Sequence, residues 1–204
     1  DLATVGADLW AAVSYFTDPD NNLRRTGGGA ARYDGREWVG WGNGDAGFTA
    51  YADGLITGDT RALHVDGQGD VWAGTWNLLD GQLVSIWPHV DAVVNEWDGA
   101  AWRAHDFEGQ GWVSAIVEDT IGAIWAGTTR GHRQEYWPAD GPLGLTSEDA
   151  DAAEGGLRVF DGAGWTTHSP EQGGFPVRGI TVLAIEPATG YVWVGTESGG
   201  ILVY

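Results

Sequence analysis

The chain reads as an all-β protein, a β-propeller of about four blades of four short antiparallel strands, with the last blade incomplete. Three observations predict this. The string Trp-[Ala/Val]-Gly-Thr occurs at Trp72-Ala73-Gly74-Thr75, Trp125-Ala126-Gly127-Thr128 and Trp193-Val194-Gly195-Thr196, with a degraded copy, Trp10-Ala11-Ala12, near the start. An aromatic residue, Asp-Gly, two residues and a Trp recur at 33–38, 97–102 and 160–165. A β-type run and a Gly- or Asp-bearing turn precede each Trp string. Self-similarity at a period of roughly 40–60 residues marks stacked blades or a solenoid.

Each unit resolves into strands A to D. In the first blade, 1–57, the strands are 2–5, 8–13, 30–33 and 37–41. In the second, 58–109, they are 62–66, 70–75, 93–97 and 101–105. The third, 110–178, has 114–118, 123–128, 156–160 and 165–168. The fourth, 179–204, has 182–186, 192–196 and 201–204. Strands C and D are joined at Asp34-Gly35, Asp98-Gly99 and Asp161-Gly162, because Gly tolerates positive φ and Asp bonds its own backbone. Only 146–154 has helical character, one or two acidic turns from a Thr or Ser cap.

Composition agrees. The 34 glycines fall at turns and after the Trp rather than in a low-complexity tract, and the repeat accounts for most of the 13 tryptophans, with Trp72, Trp125 and Trp193 expected to pack between blades. The formal charge is −19, and all ten basic residues are Arg. Such a surface repels phosphate backbones, so neither nucleic acid nor an anionic membrane is an expected partner. Absence of Cys excludes disulfides and thiol chemistry without fixing a compartment. No run approaches the ~18 apolar residues of a membrane span, and no signal peptide is visible. No Met occurs, even at position 1, so a trimmed product or a segment is expected.

The repeat resembles the two-component regulator propeller repeat, a bacterial β-propeller family. The likeness rests on Tyr51-Ala52-Asp53-Gly54-Leu55, Ala62-Leu63-His64-Val65-Asp66 and Gly69-Asp70-Val71-Trp72-Ala73-Gly74-Thr75. Gly195-Thr196-Glu197-Ser198-Gly199-Gly200-Ile201-Leu202-Val203-Tyr204 adds to it. It covers nearly the whole chain apart from three insertions. It implies an extracellular or periplasmic location, where such repeats form sensor regions and secreted proteins. It leaves function open, since propellers host binding, scaffolding and several chemistries. No histidine-kinase or DNA-binding module accompanies it, so signalling would fall to parts outside this sequence.

Tyr204 aligns with Tyr33, Trp97 and Phe160, so the fourth blade lacks strand D, and only Asp1 precedes the first strand. A propeller normally joins its first and last blades to remove open edges. The expectation is a piece of a larger propeller, or one completed by another chain or by missing blades.

Function is expected in the B–C connections, which share one face. The fourth, 197–200, is minimal. The other three, 14–29, 76–92 and 129–155, are long, and long loops tend to carry function. They offer Tyr15 and Phe16, then Trp76, Trp87 and His89, then His132, Tyr136 and Trp137 as residues contacting a protein partner or a carbohydrate. Rings stack on apolar faces while neighbouring polar groups hydrogen-bond. The competing reading is that these aromatics pack the insertions onto the scaffold, and the repeated Trp87-Pro88 and Trp137-Pro138 pairs favour it.

No cofactor is expected apart from calcium. Asp18, Asp20 and Asn22 alternate like the start of a calcium loop, but Leu23 and Arg24 stand where a Gly would follow, and the distal Glu is missing. Glu148, Asp149, Asp151 and Glu154 read as a solvated acidic loop. No His pair has metal spacing and no Ser or Cys sits in a nucleophile elbow. Carboxylate pairs for glycoside hydrolysis depend on the fold and stay open. The leading expectation is therefore a non-enzymatic exported module for binding or assembly. The alternatives are a propeller glycosidase or lyase, and an extracellular sensor region of a two-component regulator.

Overall fold

The computed structural model describes residues 1–17, 25–42, 59–76, 91–110, 112–129, 155–168, 179–197 and 199–204. These residues contain strands and turns and no helix. The first sheet holds β1 (Leu2–Val5), β2 (Asp8–Thr17), β3 (Arg25–Tyr33) and β4 (Trp38–Gly42). The second holds β5 (Asp59–Val65), β6 (Val71–Trp76), β7 (Asp91–Trp97) and β8 (Trp102–Gln110). The third holds β9 (Val113–Glu118), β10 (Ile124–Thr128), β11 (Gly156–Phe160) and β12 (Trp165–His168). The last holds β13 (Ile180–Ile185), β14 (Val192–Thr196) and β15 (Ile201–Val203). Within every sheet the strands lie in chain order and pair antiparallel. The result is an all-β fold of four sheets with three or four strands each.

Every strand read from the sequence is present, and the differences lie in length. β2 and β3 run beyond the repeat. Tyr15 pairs with Gly27, Phe16 with Thr26 and Thr17 with Arg25. Much of 14–29 is therefore a hairpin extension and not a loop; only 18–24 lie outside the described residues. β8 likewise continues to Gln110. The segment 146–154 lies outside the described residues.

The turns are built alike because their sequences are alike. The Oδ1 of Asp34 accepts the backbone N–H groups of Arg36 and Glu37 at 2.8 and 2.9 Å. Asp98 does so for Ala100 and Ala101, and Asp161 for Ala163 and Gly164. The following glycines take φ of 92°, 90° and 89°, where a Cβ would be strained. These bonds hold all three carboxyl groups below the ordinary aspartate range.

Three apolar seams join consecutive sheets. In the first, Trp10, Ala30 and Trp41 meet Leu63, Val71, Ala73 and Trp102. In the second, Trp72, Val94 and Phe107 meet Val113, Ile116, Ile124 and Ala126. In the third, Trp125 and Leu157 meet Ile180, Leu183, Val192 and Val194. Period-2 alternation explains the division of labour, since neighbours along a strand face opposite sides. Trp10, Trp72 and Trp125 face the following sheet, whereas Ala73, Ala126 and Val194 face the preceding one.

Candidate functional site

Three elements of each repeat set the seam geometry. The first is the Trp. Trp72 Nε1 donates to Asp66 Oδ2 at 2.9 Å, and Trp125 Nε1 donates to Asp119 Oδ2 at 2.8 Å. Each of these carboxylates also accepts two backbone N–H groups of its own turn through Oδ1. One Asp thus closes the turn and satisfies an indole that burial would otherwise orphan. The sequence reading identified the turn but missed the bond. The signal was present as an Asp six residues before the Trp in two copies.

The second element is the Gly two residues after the Trp. A Cβ on Gly74 would lie 2.7 Å from Val113 Cβ, and one on Gly127 would lie 2.8 Å from Ile180 Cβ. The glycine is needed because the first strand of the following sheet presses on it. The third element is the aromatic pair of the C–D hairpin. Trp97 and Trp102 sit on Trp10 and Trp41, with centroids 5.0–6.2 Å apart. Phe160 and Trp165 sit on Trp72 at 5.7 and 6.4 Å. Tyr204 sits edge-on to Trp125 at 5.5 Å. Such pairs add about 0.5–1.5 kcal/mol each beyond their burial.

Polar groups inside the seams serve packing. His105 Nε2 lies 2.9 Å from Glu96 Oε2, and its ring stacks on Trp72 at 5.6 Å and 21°. Phe160 and Trp165 close the other side. Both side chains are largely buried. His64 is partly buried and its Nε2 has no partner. Burial pushes its pKa below the ordinary histidine value, against the pull of Glu118 and Asp66. Among the described residues no three His, Asp or Glu side chains gather as a metal site.

The A–B turns meet at one end of the sheets. Gly67 N donates to Glu118 Oε2 at 2.7 Å across the second seam, and a Cβ on Gly190 would touch Thr120 across the third. The B–C ends therefore meet at the other. There Arg61 lies over the Trp112 ring at 4.9 Å, Thr129 N donates to Trp112 O, and Glu197 N donates to Gly179 O. Trp112 is a rim aromatic that sequence reasoning did not single out. It stands just before a first strand, where the repeat has no fixed residue.

Of the predicted contact residues, Tyr15 and Phe16 lie in β2, and Trp76 ends β6 at the B–C rim. Trp87, His89, His132, Tyr136 and Trp137 lie outside the described residues, as do Asp18, Asp20 and Asn22. Trp72 and Trp125 pack between sheets as expected. Trp193 corrects that reading, because it is 42% exposed. Among the described residues no sheet lies over its face.

No family model matches the chain, and no curated protein does. Solved structures do match, among them the following three. PorZ, an essential surface component of the type-IX secretion system of Porphyromonas gingivalis, is 11% identical over 96% of this chain and 24% of its own, with a TM-score of 0.45. A protein of unknown function from Dyadobacter fermentans is 13% identical over 99% of this chain and 58% of its own, with a TM-score of 0.47. The extracellular domain of a candidate one-component system from B. thetaiotaomicron is 13% identical over 99% of this chain and 26% of its own, with a TM-score of 0.39. The chain thus spans between about a quarter and three fifths of their lengths. No helix among the described residues is long and apolar enough to cross a membrane.

Proposed function

We propose that the four sheets are consecutive blades of a β-propeller. On this reading they form a non-enzymatic, exported module that binds a protein partner or a glycan through its B–C rim. The location follows the sequence resemblance given above. One observation carries the binding site. The connections after β2, β6 and β10 leave equivalent strand ends and take in residues 18–24, 77–90 and 130–154, whereas β14 and β15 are joined within 197–200. The A–B and C–D turns are short and alike, whereas the B–C connections differ from copy to copy, so variable sequence gathers at one end of the strands.

The aromatics in those connections, Trp87 and Trp137 above all, suit a sugar face or an apolar peptide side chain. Calcium would be held by Asp18, Asp20 and Asn22, which alternate like the start of a calcium loop. The test is a glycan array and a peptide library probed with the wild-type chain and with Trp87→Ala/Trp137→Ala. The expected result is hits that the double variant loses while its far-ultraviolet dichroism is unchanged. Hits retained by a folded double variant, or none for wild type, would refute the rim as the contact surface.

A further inference from the structure

The described part of the B–C rim has a floor between the second and third sheets. The first strands of these sheets, β5 and β9, lie side by side. At the rim end of β5 the register shifts between Thr60 and Ala62, and Arg61 stands at that bulge. Bulges re-aim a side chain. Arg61 is exposed, and its Cζ lies 4.9 Å from the centroid of the Trp112 ring. Trp112 is half-buried and is held in place from two directions. Its carbonyl accepts the Thr129 N–H at 3.0 Å. Two residues further on, β9 has a matching bulge at Ser114, whose Oγ lies 2.6 Å from Ile180 O and so ties this strand to the next sheet.

Thr129 adds a hydroxyl at the root of this ring. The residue is 5% exposed, and its Oγ1 is buried without a hydrogen-bond partner. Native proteins leave few such groups, and an answering water or ligand is one reason for them. One flat apolar ring thus stands beside a fork of donors, with an unmet hydroxyl near its backbone. A sugar matches that chemistry, since its C–H face stacks on the ring while its hydroxyls bond the polar groups. A peptide anchor would ask for a desolvated apolar pocket instead. The charge of the chain selects among sugars. At −19 it repels anions, which disfavours uronates and phosphorylated sugars. A cationic amino sugar would meet Arg61. A neutral hexose meets neither obstacle.

We propose that Arg61, Trp112 and Thr129 form a subsite for a neutral hexose ring of a glycan. This subsite rests on the B–C rim being the contact face, and narrows it to one ligand class and to residues of the sheets and their ends. Trp112 supplies the stacking platform. Arg61 has five N–H donors, so it keeps its place on the indole and still bonds sugar hydroxyls. The Thr129 hydroxyl pairs with a sugar hydroxyl directly or through a water beneath it.

Nuclear magnetic resonance of the tryptophan indole N–H groups reads this directly. The full chain is titrated with maltotriose, cellotriose, mannotriose and galactotriose, and with trigalacturonate as the acidic control. At least one neutral trimer should move the Trp112 indole signal and bind with a Kd of about 1 mM or tighter, while trigalacturonate should not. Arg61→Gln should weaken that binding about 10- to 100-fold, and Trp112→Leu should abolish it. Should Trp112→Leu unfold the chain, Arg61→Gln with unchanged far-ultraviolet dichroism carries the test. The subsite is overturned if no neutral trimer binds, if trigalacturonate binds as tightly, if binding leaves the Trp112 signal still, or if folded Arg61→Gln binds like wild type. Its failure is separable from that of the rim. Hits that Trp87→Ala/Trp137→Ala loses but Arg61→Gln keeps would leave the rim standing without this subsite. A wild-type chain that captures neither glycan nor peptide would remove both.

Discussion

Replacing Gly74 by Ala adds one methyl group at a seam. The new Cβ would lie 2.5 Å from Val113 Cγ1, 2.7 Å from Val113 Cβ and 3.2 Å from Ala62 Cβ. Val113 is fully buried, and its backbone belongs to the first strand of the next sheet. The two sheets must therefore separate by several tenths of an ångström, or Val113 must leave its rotamer. Overpacking of this kind costs about 1–3 kcal/mol. Gly74 has ordinary negative φ, so Ala also stiffens the unfolded chain and returns about 0.4–1 kcal/mol. The net expectation is a loss of about 1–2 kcal/mol. For a chain of this size that lowers Tm by roughly 2–8 °C.

Calorimetry on three variants separates packing from backbone effects. Gly164→Ala is the control, since a Cβ there meets nothing within 4 Å; it should be neutral or slightly stabilising. Val113→Ala removes the nearest methyl and should weaken the effect of Gly74→Ala, with a coupling of roughly 1 kcal/mol. A Gly74→Ala variant as stable as wild type, or one whose cost is unchanged beside Val113→Ala, would refute the seam geometry.

Two further outcomes follow from polar groups. Asp119→Ala orphans the Trp125 indole N–H and the Ala123 amide, at a cost of about 1–3 kcal/mol, read as a lower urea midpoint; Asp66→Ala should match it, and a change under about 0.5 kcal/mol would count against the indole bond. Stability should also fall on acidification in two windows. His64 has a depressed pKa, so its contribution is lost as pH drops below the ordinary value of 6.5, and His64→Leu should flatten that slope. Asp34, Asp98 and Asp161 are depressed below 3.8, so theirs is complete above that value and lost as pH falls through the lower folded values; the triple Asn variant should flatten this second slope.

Strand order and turn chemistry were legible because both are local. Period-2 runs, Asp-Gly turns and the Trp string each depend on a few adjacent residues, so four copies could be aligned by eye. Strand length was less so. Gly27 and Gly29 read as loop because glycine is a poor strand former, yet Tyr15 and Val13 of β2 pair across from them. The exposure of Trp193 was hidden for a different reason. Its own sequence matches Trp72 and Trp125, and what differs is whether another sheet lies on top. The indole–Asp bond needed the turn and the strand to be placed together. The rim was legible only as composition, since variable connections carry no period.

The central claim is that equivalent tryptophans are buried when a following sheet exists and open when none does. Hydrogen exchange of the indole N–H groups, followed by nuclear magnetic resonance at a concentration where the chain is monomeric, tests it. Trp72 and Trp125, bonded to Asp66 and Asp119 inside seams, should be strongly protected, while Trp193 and Trp38 exchange like free indole. Equal protection of Trp193 and Trp125, or fast exchange at Trp72 and Trp125, would contradict the stacked-sheet account.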